Sequence, residues 1–221
     1  MSECVIFDLD GTILDTIGAI TYFVNKTFEA EGIEPILLED CKYFAGNGAR
    51  ALIERSLASK GITDEGEIER ILKIYKKNYD DDPLYITKPF DGISEMLLKL
   101  KSAGYKLAVV SNKPDTAARP IVEHFFGDTF DAVTGALDGL PVKPDPALPL
   151  HALSSLGISP ERSIFVGDTY VDMETGRNLG SIKVIGVLWG FRKADELLRA
   201  GADAIVSDTD ALYREIAVEG K

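Results

Sequence analysis

Short apolar runs, each closed by small or polar residues, recur along the chain. Four of them, Cys4–Asp8, Lys106–Ser111, Ser163–Gly167 and Lys183–Leu188, carry the near-continuous apolar pattern of strands buried on both faces of a parallel sheet. Weaker runs at Ala132–Gly135 and Ala204–Ser207 extend the series. Helical spacing fills the intervals. Ile93, Met96, Leu97 and Leu100 fall at i, i+3, i+4 and i+7, with Gly104 as the terminator, and residues 116–126, 146–156 and 170–179 read similarly.

One long segment breaks this rhythm. Between residue 15 and about residue 85 the pattern is helical throughout: Ile17, Ile20, Val24 and Phe28 share one face. Ala49, Leu52, Ile53, Ser56 and Leu57 make a second stripe, and Ile68, Ile71, Leu72, Tyr75 and Tyr79 a third. The run ends in Asp80-Asp81-Asp82-Pro83, a loop by composition. The expected fold is therefore α/β: a doubly wound, Rossmann-like parallel sheet formed by residues 1–14 and 86–221, with an inserted all-helical domain at 15–85. Ligands of such a sheet bind beyond the carboxyl ends of its strands.

Composition narrows the function classes. A chain of 221 residues suits one large domain or a main domain with a smaller one attached. The formal net charge of −12 argues against nucleic acid as a partner, because proteins that bind it present basic surfaces. No apolar run approaches the length of a membrane span, and no basic stretch followed by an apolar one opens the chain, so the expectation is a cytoplasmic protein. Cys4 and Cys41 lack metal-ligand spacing and read as reduced thiols.

The chemistry-bearing residues cluster at strand ends. The first strand closes in Asp8-Leu9-Asp10-Gly11-Thr12, where alternation starts Asp8 and Asp10 on the same side and Gly11 permits a sharp turn. Adjacent carboxylates repel, which suits a divalent cation together with an acid that shuttles a proton. Alone, the pair would read as turn-forming aspartates. The second strand ends in Ser111-Asn112, and Pro114-Asp115 opens a helix, a place where a hydroxyl and free N–H groups can cradle phosphate or merely cap the helix. In Pro141-Val142-Lys143-Pro144-Asp145-Pro146 the prolines leave one rigidly held lysine, a point charge suited to a phosphoryl group. Phe165-Val166-Gly167-Asp168 closes another strand, with Asp172 one helical turn later, and such oxygen ligands suit Mg²⁺. Any one feature has a structural explanation; four at one sheet edge do not.

In these four motifs the chain resembles the haloacid dehalogenase superfamily of phosphohydrolases. DLDGT at 8–12 is similar to its nucleophile motif, VVSN at 109–112 to its phosphate-binding motif, the KP of 143–144 to its lysine motif and GDTYVD at 167–172 to its metal motif. The helical insert resembles the family's cap. GNGAR at 46–50, SNKP at 111–114 and PVKPDP at 141–146 look most like bacterial phosphoglycolate phosphatases. The resemblance implies a Mg²⁺-dependent phosphatase with Asp8 as nucleophile and Asp10 as general acid and base. It implies a metal held by Asp8, the Asp10 carbonyl and Asp168, with phosphate bound by Ser111, Asn112 and Lys143 and Asp172 orienting its neighbours. The expected partner is a small phosphorylated metabolite, best matched by 2-phosphoglycolate, acted on by a monomer or homodimer. Arg50, in the first turn of a helix opened by Gly46-Asn47-Gly48, is the candidate for the substrate carboxylate, and a solvated arginine is an equal alternative.

Other classes fit less well. Gly46 to Ala51 also spells GxGxxA, but a dinucleotide site needs a preceding buried strand, and residues 39–45 make a poor one. No P-loop or GxSxG elbow is present. A phosphorylated receiver module is shorter and has no cap. Dehalogenases and phosphonate-cleaving relatives are not expected to carry an acid at position 10. A sugar-phosphate phosphatase or phosphomutase keeps both acids and stays open.

Overall fold

The structure, a computed structural model, describes residues 3–218. It separates into two compact units, Met1–Asp15 with Pro89–Lys221, and Thr16–Lys88.

The first unit is built on a six-stranded sheet. Its strands are β1 (Cys4–Phe7), β4 (Lys106–Pro114), β5 (Ala132–Ala136), β6 (Ser163–Gly167), β7 (Lys183–Val187) and β8 (Ala204–Val206), in the order β5-β4-β1-β6-β7-β8. Every pairing between neighbours is parallel. Strands β2 (Leu14–Asp15) and β3 (Lys88–Pro89) pair with each other where the chain leaves and re-enters this unit. Because successive strands are added first on one side of β1 and then on the other, the switch in winding falls at β1. In such sheets that is where ligands bind.

The core follows from the apolar runs. Cys4 and Ile6 of β1, Ala108 and Val110 of β4 and Phe165 of β6 form one buried cluster with Leu148, Ala152 and Leu153 of α7 (Ala147–Leu156) and Leu179 of α8 (Tyr170–Leu179). The alternate residues Val5, Phe7, Leu107, Val109, Ile164 and Val166 are equally buried, so the sheet is covered on both faces. The remaining helices of this unit are α5 (Ile93–Ser102), α6 (Asp115–Phe126), α9 (Ala194–Arg199) and α10 (Thr209–Val218). Both cysteines are buried and unpaired, and burial first of all pushes their thiols up, Cys4 to about 12 and Cys41 to about 11.

The second unit is all helical: α1 (Ile17–Ala30), α2 (Leu38–Phe44), α3 (Gly48–Ala58) and α4 (Glu65–Asp80). Its interior is made by Phe23, Val24 and Phe28 of α1, Ile53 and Leu57 of α3, and Ile71, Leu72 and Tyr75 of α4. The Asn25 amide exchanges hydrogen bonds with the backbone of Ile36 at 2.9 and 3.0 Å, which ties the chain between α1 and α2 back to α1. Asp64 caps α4, its carboxylate accepting from the Glu67 N–H at 2.9 Å.

Several boundaries differ from the expectation. Strand β4 runs past Ser111 to Pro114, so Ser111 lies inside a strand and the N-cap of α6 is Pro114. The register shifts between Val110 and Pro114, and Pro114 pairs with Ala136, so β5 draws the extra residues into extended form. Helix α2 is an element for which the sequence shows no stripe, since only Cys41 of its seven residues is buried and its periodicity is faint. Among the described residues, no helix is long and apolar enough to cross a membrane.

Candidate active site

The central strands deliver the acidic residues to one edge. Phe7 of β1 stands opposite Val109 of β4 and Val166 of β6, so Asp8, Ser111 and Asp168 each emerge one or two residues beyond that level. The turn after β1 is tight: the Leu9 carbonyl accepts from Ile13 and Leu14 N–H groups at 3.1 and 3.0 Å, with Gly11 at φ +88°. This turn sends the Thr12 hydroxyl toward Asp168, which accepts its hydrogen bond at 2.8 Å.

Lys143 organises the centre. Its ammonium donates to Asp8 Oδ1 and to Asp172 Oδ1, each at 2.7 Å, with its side chain 1% exposed. Asp8, Asp168 and Asp172 are all buried and can bring one carboxylate oxygen each within 4.8 Å of the others. Burial, then the charge of Asp172, pushes the Asp8 carboxyl up to about 7 against the pull of Lys143. Burial and the charges of Asp172 and Asp8 likewise hold Asp168 well above the usual carboxylate range. Burial acts to lower the Lys143 pKa, but the Asp172 and Asp8 carboxylates outweigh it and keep the ammonium charged.

Asp172 is engaged at both of its oxygens. Its second oxygen accepts from the Thr169 N–H at 2.9 Å and the Thr169 hydroxyl at 2.7 Å, closing the capping box of α8. With its first oxygen on Lys143, it holds that lysine in place and has little left for a ligand. Asp8 and Asp168 are therefore the side chains that fit a divalent cation. Counted as ionised groups, Asp8, Asp10, Asp168 and Asp172 are four carboxylates that, among the described residues, face two ammonium groups in ion pairs, Lys113 and Lys143. Buried excess negative charge with oxygen donors fits a hard cation such as Mg²⁺.

Two expected residues have other engagements. The Asn112 amide donates to the Lys143 carbonyl at 3.1 Å and accepts from the Lys143 N–H at 2.8 Å. It thus fixes the lysine loop to β4 instead of standing free for phosphate. Arg50, nearly half exposed, is ion-paired through its two terminal nitrogens with Glu65 and Glu69 of α4. Those carboxylates compete with any substrate carboxylate for it.

The sequence reading missed three contributors. Lys113 places its ammonium 2.8 and 2.9 Å from the two Asp10 oxygens. The loop after β7 closes on the acids as well: the Phe191 N–H donates to Asp168 Oδ2 at 2.7 Å, and the Trp189 indole donates to the Thr12 carbonyl at 2.9 Å. A Cβ at Gly190 would overlap the Asp168 carboxylate and the Gly11 carbonyl. Gly190→Ala is accordingly expected to cost about 1–3 kcal/mol of stability by overpacking; denaturant unfolding with a loss below about 0.5 kcal/mol would show that the loop yields freely. Alternation with Ser111 at i+2 was the available signal for Lys113. The loop left none, since its contacts lie 23 and 177 residues away.

A family model described as haloacid dehalogenase-like hydrolase matches residues 5–187. A phosphoglycolate phosphatase of Aquifex aeolicus is 35% identical over 190 residues, covering 86% of this chain and 86% of its own length. An N-acetylmuramic acid 6-phosphate phosphatase of Pseudomonas aeruginosa is 33% identical over 207 residues, covering 92% of this chain and 90% of its own. Among solved structures, that of a proposed phosphoglycolate phosphatase from Lactobacillus delbrueckii subsp. bulgaricus matches with a TM-score of 0.94 and 33% identity. It covers 98% of this chain and 99% of that one.

Proposed function

The chain belongs to the haloacid dehalogenase-like hydrolase family, and from that premise we propose that it is a Mg²⁺-dependent phosphatase of small phosphomonoesters working through a phosphorylated Asp8. The observation that carries this reading is the buried Lys143 bridging Asp8 and Asp172 beside Asp168 at the winding switch of the sheet. A reactive carboxylate, a fixed positive charge and a cation-hungry acid meet there.

Asp8 attacks phosphorus in line; its Oδ–P bond forms as the ester P–O bond breaks, giving an acyl phosphate. Asp10 gives a proton to the departing oxygen, then takes one from the water that attacks phosphorus in the second step and releases orthophosphate. Ser111 and nearby N–H groups bind phosphate oxygens, and Lys143 balances their charge. Asp8, Asp168 and the Asp10 carbonyl would hold the Mg²⁺, which supplies charge neutralisation as the anionic nucleophile meets an anionic ester. The unit Thr16–Lys88 would act as a cap that selects the leaving group.

For substrate, relatives named phosphoglycolate phosphatase support 2-phosphoglycolate. The relative named for N-acetylmuramic acid 6-phosphate favours a sugar phosphate as the second reading. The test is orthophosphate release from both compounds with Mg²⁺ and with excess chelator. Activity lost in chelator and regained with Mg²⁺ is expected. The unfolding midpoint should also rise with Mg²⁺, by the equivalent of about 2.7 kcal/mol at a hundredfold excess over Kd. Full activity in chelator removes the metal from the mechanism, and no release from any phosphomonoester removes the phosphatase.

A further inference from the structure

The loop after β7 is fixed at both ends before it reaches the acids. The Leu188 N–H donates to the Val206 carbonyl of β8 at 3.0 Å, and the Arg192 guanidinium donates to Glu196 of α9 at 3.0 Å. Between these anchors two groups turn back toward the site. One is the Phe191 N–H on Asp168 Oδ2, and the other is the Trp189 indole on the Thr12 carbonyl. An indole carries a single donor, and here it is spent 177 residues away, on the turn that follows β1.

Thr12 is thereby gripped at two points. Its carbonyl is held by Trp189, and its wholly buried hydroxyl donates to Asp168 Oδ1 at 2.8 Å. Asp168 thus receives the Thr12 hydroxyl on one oxygen and the Phe191 N–H on the other, and both donors are neutral. A carboxylate offers about four lone-pair sites, so this clamp fixes the plane of the group and leaves a lone pair on each oxygen for a cation. Asp172 differs because one of its oxygens answers an ammonium; Asp168 is oriented without being neutralised. Asp8 and Asp172 lie close enough to repel Asp168, so its orientation depends on the clamp. Space is as tight as the bonding. A Cβ on Gly11 or on Gly190 would overlap Asp168, so the turn after β1, Asp168 and the loop after β7 interlock, and a shift in one is passed to the others.

We propose that Trp189 is a positioning residue for Asp168: by holding the Thr12 carbonyl it sets the Thr12 hydroxyl on that carboxylate, and so sets how tightly the site takes up a divalent cation. The proposal rests on the Mg²⁺ reading above and deepens it. Hydrogen-bond partners of a metal-ligating carboxylate orient it and tune its affinity, and Trp189 stands one step behind such a partner. Its effect passes through Thr12.

The experiment measures the Mg²⁺ Kd of the substrate-free protein by calorimetry, and unfolding in chelator alongside it. The proteins are wild type, Trp189→Phe, Thr12→Val, Thr12→Ser and the double variant Trp189→Phe with Thr12→Val. Phenylalanine keeps an aromatic ring against Phe90, whose centroid lies 6.4 Å from that of Trp189, and removes the donor. Trp189→Phe should weaken Mg²⁺ binding by about 3- to 10-fold, the range of one neutral hydrogen bond. Thr12→Val should weaken it by about 10- to 100-fold, the usual cost of losing a partner of a metal ligand, and Thr12→Ser, which keeps the hydroxyl, should restore most of it. The double variant should bind as Thr12→Val does, because the path through the hydroxyl is already cut. Wild-type affinity in Trp189→Phe overturns the proposal. So does a loss of stability in chelator with no change in Kd, which would make Trp189 a prop for the fold alone. Losses that add in the double variant overturn it too, since Trp189 would then act by another route. A wild type that takes up no Mg²⁺ and releases phosphate fully in chelator would instead strike at the Mg²⁺ reading itself.

Discussion

Asp8→Asn is expected to lower phosphate release by on the order of 10⁴-fold or more, because an amide cannot serve as the nucleophile and a group acting at the heart of a catalytic unit carries most of its effect alone. The fold should survive. Asparagine keeps the volume at the end of β1, and the backbone N–H of residue 8 still donates to the Val166 carbonyl at 3.0 Å. Stability has a definite sign in chelator. The native Asp8 pKa, about 7, lies above its ordinary value, so the native state binds this proton more tightly than the unfolded chain does. Asp8 therefore withdraws stability as pH rises from about 4 through about 7, and its removal should relieve that cost at pH 8. The loss of one Lys143 partner opposes the gain, while Asp172 still holds the ammonium at 2.7 Å. The metal-free variant at pH 8 should thus be at least as stable as metal-free wild type. Circular dichroism, thermal unfolding and a phosphate assay check the three statements together. Near wild-type turnover in a folded Asp8→Asn protein would end the covalent mechanism.

The parts legible in the sequence were those written in local pattern. Continuous apolar runs announced β1, β4, β6 and β7, and acids placed just past those runs announced Asp8 and Asp168, because parallel strands buried on both faces leave polar side chains only at their ends. The stripes of α1, α3 and α4 were equally plain. Long-range pairing was not. Nothing near Asn112 tells that its amide will take up the Lys143 backbone 31 residues away, nor near Lys113 that its partner is 103 residues back. The rule that a proline opens a helix was correct at Pro114, yet the residues before it paired with β5 and became strand. Arg50 shows the same limit: its position in the first turn of α3 was readable, and its capture by Glu65 and Glu69 came from packing α4 alongside.

Lys143→Met should hurt stability and catalysis together, and the dependence on pH separates this from simple loss of packing. Methionine nearly matches the stem, so the cavity is small and the missing quantity is charge. In the native protein one ammonium, almost wholly withdrawn from water, answers Asp8 and Asp172 at 2.7 Å, with the Asp168 carboxylate close by. Removing one partner from a buried ionic group costs about 3–5 kcal/mol, since the remaining charges stay buried without compensation. Protons can replace the lysine: Asp8 and Asp168 already hold raised pKa values, and losing Lys143 raises Asp8 further. The deficit in chelator should therefore be smaller near pH 5, where Asp8 with its pKa of about 7 is protonated, and approach its full size by pH 8. Mg²⁺ should restore part of it at pH 8 by supplying positive charge to Asp8 and Asp168. Turnover should still fall by about 10²- to 10³-fold even with the metal bound, the usual cost of deleting one preorganised positive contact to a transferring group. Denaturant unfolding at the two pH values, with and without Mg²⁺, measures the first effect and phosphate release the second. A Lys143→Met protein whose stability deficit is the same at pH 5 as at pH 8 would show that Lys143 holds the site by packing, and the charge balance argued for these four aspartates would fall with it.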